Sequence, residues 1–251
     1  MEYELRKRAL VSRRLPSMNG ITIFPIERFD LRVEPKVWDF ATERRAEIDA
    51  LFAQMQAQKP ALWNGRVLLM HRYAFAAGVM RGSFLETDYA SFTAWQNWGQ
   101  PAAGIYDCFA AAAIMAADGA FLLGVMAPHT FNAGHIYFPC GTPDNNDVAG
   151  GKVDFEFSVR RELQEETGLD AAEFAAEPGW TITVSGALIA AVKVLRSELA
   201  AEPLRARILE NLTHERQPEL ADIRIVRSAA DFDPMMRRHV KAFLAKRFAD
   251  A

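Results

Sequence analysis

The sequence predicts a mixed α/β (α+β) architecture, and three observations predict it. Segments of helical and strand periodicity are interspersed along the chain rather than separated into blocks. Two pairs of apolar runs are joined by tight-turn residues, Asp118-Gly119 and Ser185-Gly186, the signature of antiparallel hairpins. Helix-length amphipathic segments follow the strands at several points, so a mixed sheet is expected to lie under helices.

Composition sets the frame. A chain of 251 residues, half of them hydrophobic and about a quarter charged, can bury a substantial core and is not of disordered type. The formal charge of −3 shows no basic excess, so nucleic acid is not the expected main partner. Two cysteines, Cys108 and Cys140, do not make a disulfide framework. The charged opening, "MEYELRKRAL", is not followed by the apolar core of a secretory signal. The most apolar region is cut by Asp118-Gly119, short of the roughly 20 continuous apolar residues of a membrane span. A soluble, cytoplasmic protein with no membrane partner is the expectation.

Along the chain, "ITIFPIERFDLRV" reads as strand, and "EPKVWDFATERRAEIDALFAQMQAQKP" as one long amphipathic helix between Pro35 and Pro60. Two strands follow, "RVLLMHRYA" and "AAGVMRGSFL". A short helix, "TDYASFTAWQNWG", is capped by Thr87 or Asp88 and closed by Gly99. Pro101 and Gly104 mark a boundary, giving an N-terminal α+β extension at 1–101 and a second domain at 102–251.

Beyond the boundary come a hairpin ("YDCFAAAAIMAADGAFLLGVMA"), a loop ("PHTFNAG") and a short strand, "HIYFP". A polar loop, "CGTPDNNDVAGGK", then leads into a glutamate-rich helix. Two further strands ("WTITVSGALIAAVKVL"), a helix ("RSELAAEPLRARILENL"), a strand ("ADIRIVRS") and a basic amphipathic helix ("DPMMRRHVKAFLAKRF") complete the chain. That last helix is expected to dock on the domain, and the pair Trp95/Trp98 to serve core or interface.

The glutamate helix poses the chemical question. In "RRELQEETGL", Glu162, Glu165 and Glu166 crowd one and a half turns, and like charges at spacings of three and four cost roughly 0.2–0.5 kcal/mol per pair. Phe155, Val159 and Leu163 mark its buried side, and Glu162 and Glu166 share that azimuth. Unpaired carboxylates facing a core are expensive. A hard divalent cation held by their oxygens would relieve the conflict, while Arg161 can pair with Glu165 four positions on.

"RELQEETGL", Arg161 to Leu169, resembles the second half of the Nudix box, Arg-Glu-apolar-x-Glu-Glu-x-Gly-apolar, at every defined position. Upstream, "YFPCGTPD" looks like the strand and turn that open the box, with Gly141 at its first glycine. The family's pattern places five residues between that glycine and a glutamate, then seven before the arginine. Here Gly141 to Arg161 is six residues too long, and counting back from Arg161 finds Val153 where the glutamate belongs. The sequence therefore reads as a loop insertion, with Asp154 or Glu156 replacing the missing carboxylate.

The resemblance covers residues 102–230 and implies a Nudix-type α/β/α sandwich with a mixed sheet. It also implies a Mg²⁺- or Mn²⁺-dependent hydrolase cleaving the diphosphate linkage of a nucleotide derivative: a nucleotide sugar, an ADP-ribose-like compound or coenzyme A. Glu162, Glu165 and Glu166 would hold the metal with the carbonyl of Gly141. Glu162, Glu165 and Arg161 would serve catalysis, Glu165 by orienting a metal-bound water and Arg161 by holding a glutamate.

Glu219, ahead of Glu215, is expected to supply a base or further ligand from a later loop, and His135 to sit near substrate. Residues 1–101 would shape specificity or mediate homodimer formation. A nucleotide-sensing module without catalysis and an isoprenoid-type isomerase are the competing classes. The latter would require a cysteine in the active site.

Overall fold

The computed structural model describes residues 17–18, 20–60, 62–101 and 103–250, so the charged opening stretch lies outside the described residues. Its architecture is mixed α+β. The described strands form two mixed sheets. The larger runs, in spatial order, through Ser17–Met18, Ile21–Ile26, Trp180–Ser185, Leu188–Arg196, Asp107–Met115, Phe121–Met126 and Leu220–Val226, with short strands pairing alongside three of the inner ones. Its centre is a parallel pair, Leu188–Arg196 on Asp107–Met115, and its other pairings are antiparallel.

All nine residues of Asp107–Met115 are buried, so this strand shows no alternation of polar and apolar positions. Its alanines, Ala110 to Ala113, leave room for a close-lying helix. The glutamate helix, Phe155–Thr167, packs against this strand. The C-terminal helix, Arg238–Asp250, buries Val240, Phe243 and Leu244, with Phe243 edge-on to both Phe121 and Phe138.

The smaller sheet runs Val148–Ala149, Lys152–Val153, Arg28–Val33, Val79–Asp88, Arg66–Ala76. Its two long strands form a hairpin about Ala77 (φ 50°) and Gly78 (φ 71°), the positive-φ pair that a two-residue turn demands. Over it pack the helices Asp39–Glu43, Arg45–Gln58 and Tyr89–Asn97, with a core of Trp38, Phe40, Ile48, Phe52, Leu69, Leu85 and Trp95. Asp88 caps the last of these helices, its carboxylate accepting from Ser91 N at 2.8 Å.

Three expectations change. The single strand expected over 21–33 is two, broken at Glu27, and the halves enter different sheets. The long helix expected over 35–60 begins at Asp39 and breaks at Arg44, whose backbone (φ −108°, ψ 20°) leaves the helical range and whose guanidinium lies 4.0 Å from the Trp98 ring centre. The polar loop 140–152 holds a 3₁₀ turn, Asn145–Asp147, and a small hairpin.

Both sheets cross residue 101. Ile21–Ile26 pairs with Trp180–Ser185 in the larger sheet, and Lys152 pairs with Arg32 in the smaller. Phe155, at the start of the glutamate helix, meets Phe29 and Phe84 edge-on, with ring centres 5.1 and 6.2 Å away.

Candidate active site

The glutamate helix starts at Asp154, whose side chain accepts from Phe157 N at 3.0 Å, and stops at Gly168, left-handed at φ 71°. A side chain at 168 would be strained and would also meet Asn211, whose amide donates to the last-turn carbonyl of Thr167 at 3.0 Å. The helix is thereby fixed at both ends, and its buried face carries Phe155, Ser158, Val159, Glu162, Leu163, Glu166 and Thr167.

Glu162 and Glu166 are 8% and 3% exposed, an unusual depth for two carboxylates one turn apart. Cys140 N donates to Glu166 Oε1 at 2.9 Å, while Glu166 Oε2 is buried without a hydrogen-bond partner. Burial, and then the charges of Glu162 and Glu219, push the Glu166 carboxyl well above its ordinary range against the pull of that Cys140 N–H. Glu162 is raised to about 7, chiefly by burial; Arg161 works against the shift, and Glu165, Asp147 and Glu219 add to it.

Arg161 organises the acids around it. Its guanidinium reaches Glu162 Oε1 at 2.8 Å, Glu165 Oε2 at 2.8 Å and Asp147 Oδ2 at 2.9 Å. Burial disfavours the cation, but the carboxylates of Glu162, Asp147 and Glu165 hold its pKa above the usual value.

Asp147 was not among the residues anticipated from the sequence. Its side chain is fully buried, and its Oδ2 also accepts from Asp144 N at 3.0 Å in a reciprocal cap of the 3₁₀ turn. Asp154 and Glu156, the expected substitutes for the missing acid, are engaged elsewhere. Asp154 caps the helix, and Glu156 pairs with Lys193 at 3.1 Å.

The signal for Asp147 lies in the forward count. Five residues separate Gly141 from Asp147, the spacing that the resembled motif places between its first glycine and its glutamate. The six additional residues follow it, and Val148–Val153 is the small hairpin that joins the smaller sheet.

Gly141 lies opposite the helix, paired with Ala110 of the central strand. A Cβ there would stand 2.2 Å from Glu162 Oε1, so only glycine lets this backbone approach the carboxylate. Next to it, Thr142 Oγ1 donates at 3.2 Å to the buried Asp107, whose pKa burial raises to about 7 against that bond.

Cys140, Gly141, Arg161, Glu162, Glu165 and Glu219 line a cleft of about 390 Å³. Glu219 comes from a separate segment, just before Leu220–Val226, and its carbonyl accepts from Ala127 N at 2.8 Å. Burial, followed by the charge of Glu165, raises its pKa; His129 opposes. Glu215 lies on the exposed loop nearby and adds to the shift. His135 does not line the cleft, and its Nδ1 lies 3.2 Å from Asn132 O. The histidine in electrostatic range of Glu219 is His129.

The donor set suits a hard cation: carboxylate oxygens, a glycine backbone and an unpartnered buried oxygen on Glu166. Among the described residues no three His, Cys, Asp or Glu side chains are arranged to hold an ion, for Glu162 and Glu165 are turned onto Arg161. Binding would require Glu165, whose side chain is 58% exposed, to swing from the guanidinium toward the cleft. Cys140 also faces the cleft; burial and then Glu166 keep it a protonated thiol.

No protein-family profile and no curated protein matches the chain. Among solved structures it is similar to a Nudix hydrolase from M. smegmatis, at 17% identity over 57% of this chain and 82% of that one, with a TM-score of 0.35. The MutT protein of Methanosarcina mazei Go1 aligns at 17% identity over 58% of this chain and 94% of that one, with a TM-score of 0.36. A bifunctional NMN adenylyltransferase/ADP ribose pyrophosphatase from Francisella tularensis, complexed with AMP and a manganese ion, aligns at 12% identity over 63% of this chain and 46% of that one, with a TM-score of 0.39. The side chains of the cleft, rather than these distant likenesses, carry the functional conclusion.

Proposed function

We propose that the chain is a divalent-cation-dependent hydrolase of Nudix type that cleaves the diphosphate linkage of a nucleoside diphosphate derivative. One observation carries the reading: acids from two separate elements, Glu162 and Glu165 on the helix and Glu219 on the loop, converge on one cleft with the unpartnered Glu166 oxygen behind them. Nothing in the core requires four carboxylates there, and burial first, with the neighbouring glutamates adding to it, raises the pKa of three. Glu162, Glu165 and Glu166, with the Gly141 carbonyl, would hold Mg²⁺ or Mn²⁺. Such an ion, when bound, neutralises the diphosphate and acidifies water.

The chain's own groups divide the remaining work. Arg161, braced by Asp147, fixes Glu162 at the cleft wall. Glu219, with its raised pKa, is suited to accept a proton from the attacking water. Gly141 opens the backbone to the acids. The smaller sheet and its helices, built mostly from residues 28–97, would shape specificity.

The test is product formation from a panel of nucleoside diphosphate derivatives with Mg²⁺ or Mn²⁺, beside Glu166→Gln. Turnover of one class, lost by a factor of about a hundred or more in the variant, is expected. Absence of turnover with every substrate and either metal would overturn the reading. Cation binding has its own readout. At a hundredfold excess over Kd it adds about 2.7 kcal/mol, or roughly 5–10 °C in Tm for a chain of this size. Glu166→Gln should lose most of that shift.

Cys140 at the cleft favours one competing class, the isoprenoid-type isomerase. Hydrolysis in isotopically labelled water separates the two, since only the hydrolase incorporates solvent oxygen into a phosphate product.

A further inference from the structure

The loop from Gly141 to Val153 leaves the larger sheet and is taken up by the smaller one before the glutamate helix begins. Gly141 still pairs with Ala110 of the central strand. Two residues on, Leu68 N donates to Pro143 O at 2.7 Å, and Asn145 Nδ2 then donates to Glu86 Oε2 at 2.7 Å. Leu68 and Glu86 stand opposite each other in the hairpin of Arg66–Ala76 and Val79–Asp88, so one cross-strand position of the smaller sheet holds the loop twice. At the far end Val33 N donates to Gly151 O at 3.0 Å, and Lys152 pairs with Arg32.

Between these attachments sits the 3₁₀ turn Asn145–Asp147, whose last residue is the counter-charge of Arg161. Asn145 opens the turn that Asp147 closes. A continuous line of contacts therefore runs from the smaller sheet to the cleft. Arg66 reaches Glu86 Oε1 at 2.7 Å, Glu86 holds Asn145, Asp147 meets Arg161, and Arg161 meets Glu162. The hydrogen bond from Asn145, then that from Arg66, keeps the Glu86 carboxyl below its ordinary range, so it stands ionised as an acceptor. A single 3₁₀ turn has too few internal bonds to fix its own direction. A reacting constellation must be held to within about 0.5 Å, so the direction has to come from outside the turn.

We propose that Glu86, acting through Asn145, is a positioning residue of the cleft: it sets the turn so that Asp147 braces Arg161 and Arg161 presents Glu162 at the cleft wall. This rests on the hydrolase reading and extends it to a residue of the smaller sheet, outside the stretch 102–230 that the motif resemblance covers.

The experiment measures kcat and KM at saturating Mn²⁺, and Mn²⁺ affinity, for wild type, Glu86→Ala, Asn145→Ala, the double variant and Glu86→Gln. Glu47→Ala is the control, since it removes an ion pair with Arg44 on a helix over the same sheet. Glu86→Ala should lower kcat and weaken Mn²⁺ binding about tenfold each, with KM little changed. Asn145→Ala should match it, and the double variant should be no worse than either, because both act through one bond. Glu86→Gln keeps an oxygen for Asn145 and should restore most of both quantities, while Glu47→Ala should alter neither. Unchanged kcat and Mn²⁺ affinity in Glu86→Ala, or losses that multiply in the double variant, overturn the proposal.

Backbone amide exchange gives a readout free of turnover and of metal. Asp144 N donates to Asp147 Oδ2 at 3.0 Å, and its hydrogen should exchange about tenfold faster in Glu86→Ala while the central strand Asp107–Met115 keeps its protection. If wild type neither turns over a diphosphate nor takes up Mn²⁺, the hydrolase reading fails. Faster exchange at Asp144 would even then tie the turn to Glu86, and unchanged exchange would overturn the proposal.

Discussion

At the level of single residues, the site depends on the buried pair of Arg161 and Asp147 and on one side chain that is missing. Gly141 supplies absence: adding one methyl group would place carbon 2.2 Å from Glu162 Oε1. Gly141→Ala should therefore turn Glu162 away and lower turnover by about a hundredfold or more, an effect of about 3 kcal/mol, while leaving the far-ultraviolet circular dichroism unchanged. Asp147 gives Arg161 its buried counter-charge. Asp147→Ala removes one partner of a largely buried pair, for which about 3 kcal/mol of stability is expected, read as a lower denaturant midpoint.

Asp107 offers a pH test. Its folded pKa of about 7 lies above the unfolded value of 3.8, so the folded state binds the proton more tightly. Its burial is harmless below pH 4. As pH rises to about 7 the penalty grows, and above that it is constant. Asp107→Asn should thus raise Tm at pH 8, by the equivalent of about 1–3 kcal/mol, and do little at pH 4. A gain equal at both pH values would contradict the assignment.

Among the elements, the glutamate helix was legible because everything that defines it is local. A cap, a 3.6-residue apolar stripe and a left-handed glycine stop all lie within its own fifteen residues, Asp154 to Gly168. The two turns read as Asp118-Gly119 and Ser185-Gly186 were legible for the same reason, and strands flank both. The Val148–Val153 hairpin was not. Six residues with two central glycines look like loop, and only pairing with Arg28–Val33 makes them strand. The Ala77-Gly78 turn leaves a correctable strain: alanine is held at φ 50°. Ala77→Asn should add about 0.5–1 kcal/mol, visible as a Tm rise of a few degrees.

At the scale of the whole molecule, the two sheets are interleaved in sequence. Ile23, Phe24 and Ile26 from the first thirty residues cover the edge of Trp180–Ser185, while Lys152–Val153 extends the smaller sheet. A chain begun at residue 102 would expose that edge and uncover Phe155, which rests on Phe29 and Phe84. Such a truncation is expected to be insoluble or to lack a cooperative melting transition. A soluble, fully active fragment would show instead that the N-terminal residues are dispensable.

What the sequence determined by itself was local and periodic: the acids on the buried side of a helix, the arginine beside them, the glycine that ends it and the strand pairs around tight turns. Those features depend on residues within a few turns of one another, and backbone geometry fixes their relation before any tertiary contact forms. What only the tertiary structure decided was every relation across distance. It brought Glu219 to the helix acids, chose Asp147 rather than Asp154 or Glu156 as the partner of Arg161, and split residues 21–33 between two sheets. Such choices are settled by packing and by the burial of charge, which compare partners far apart in the chain and leave no periodic trace in it.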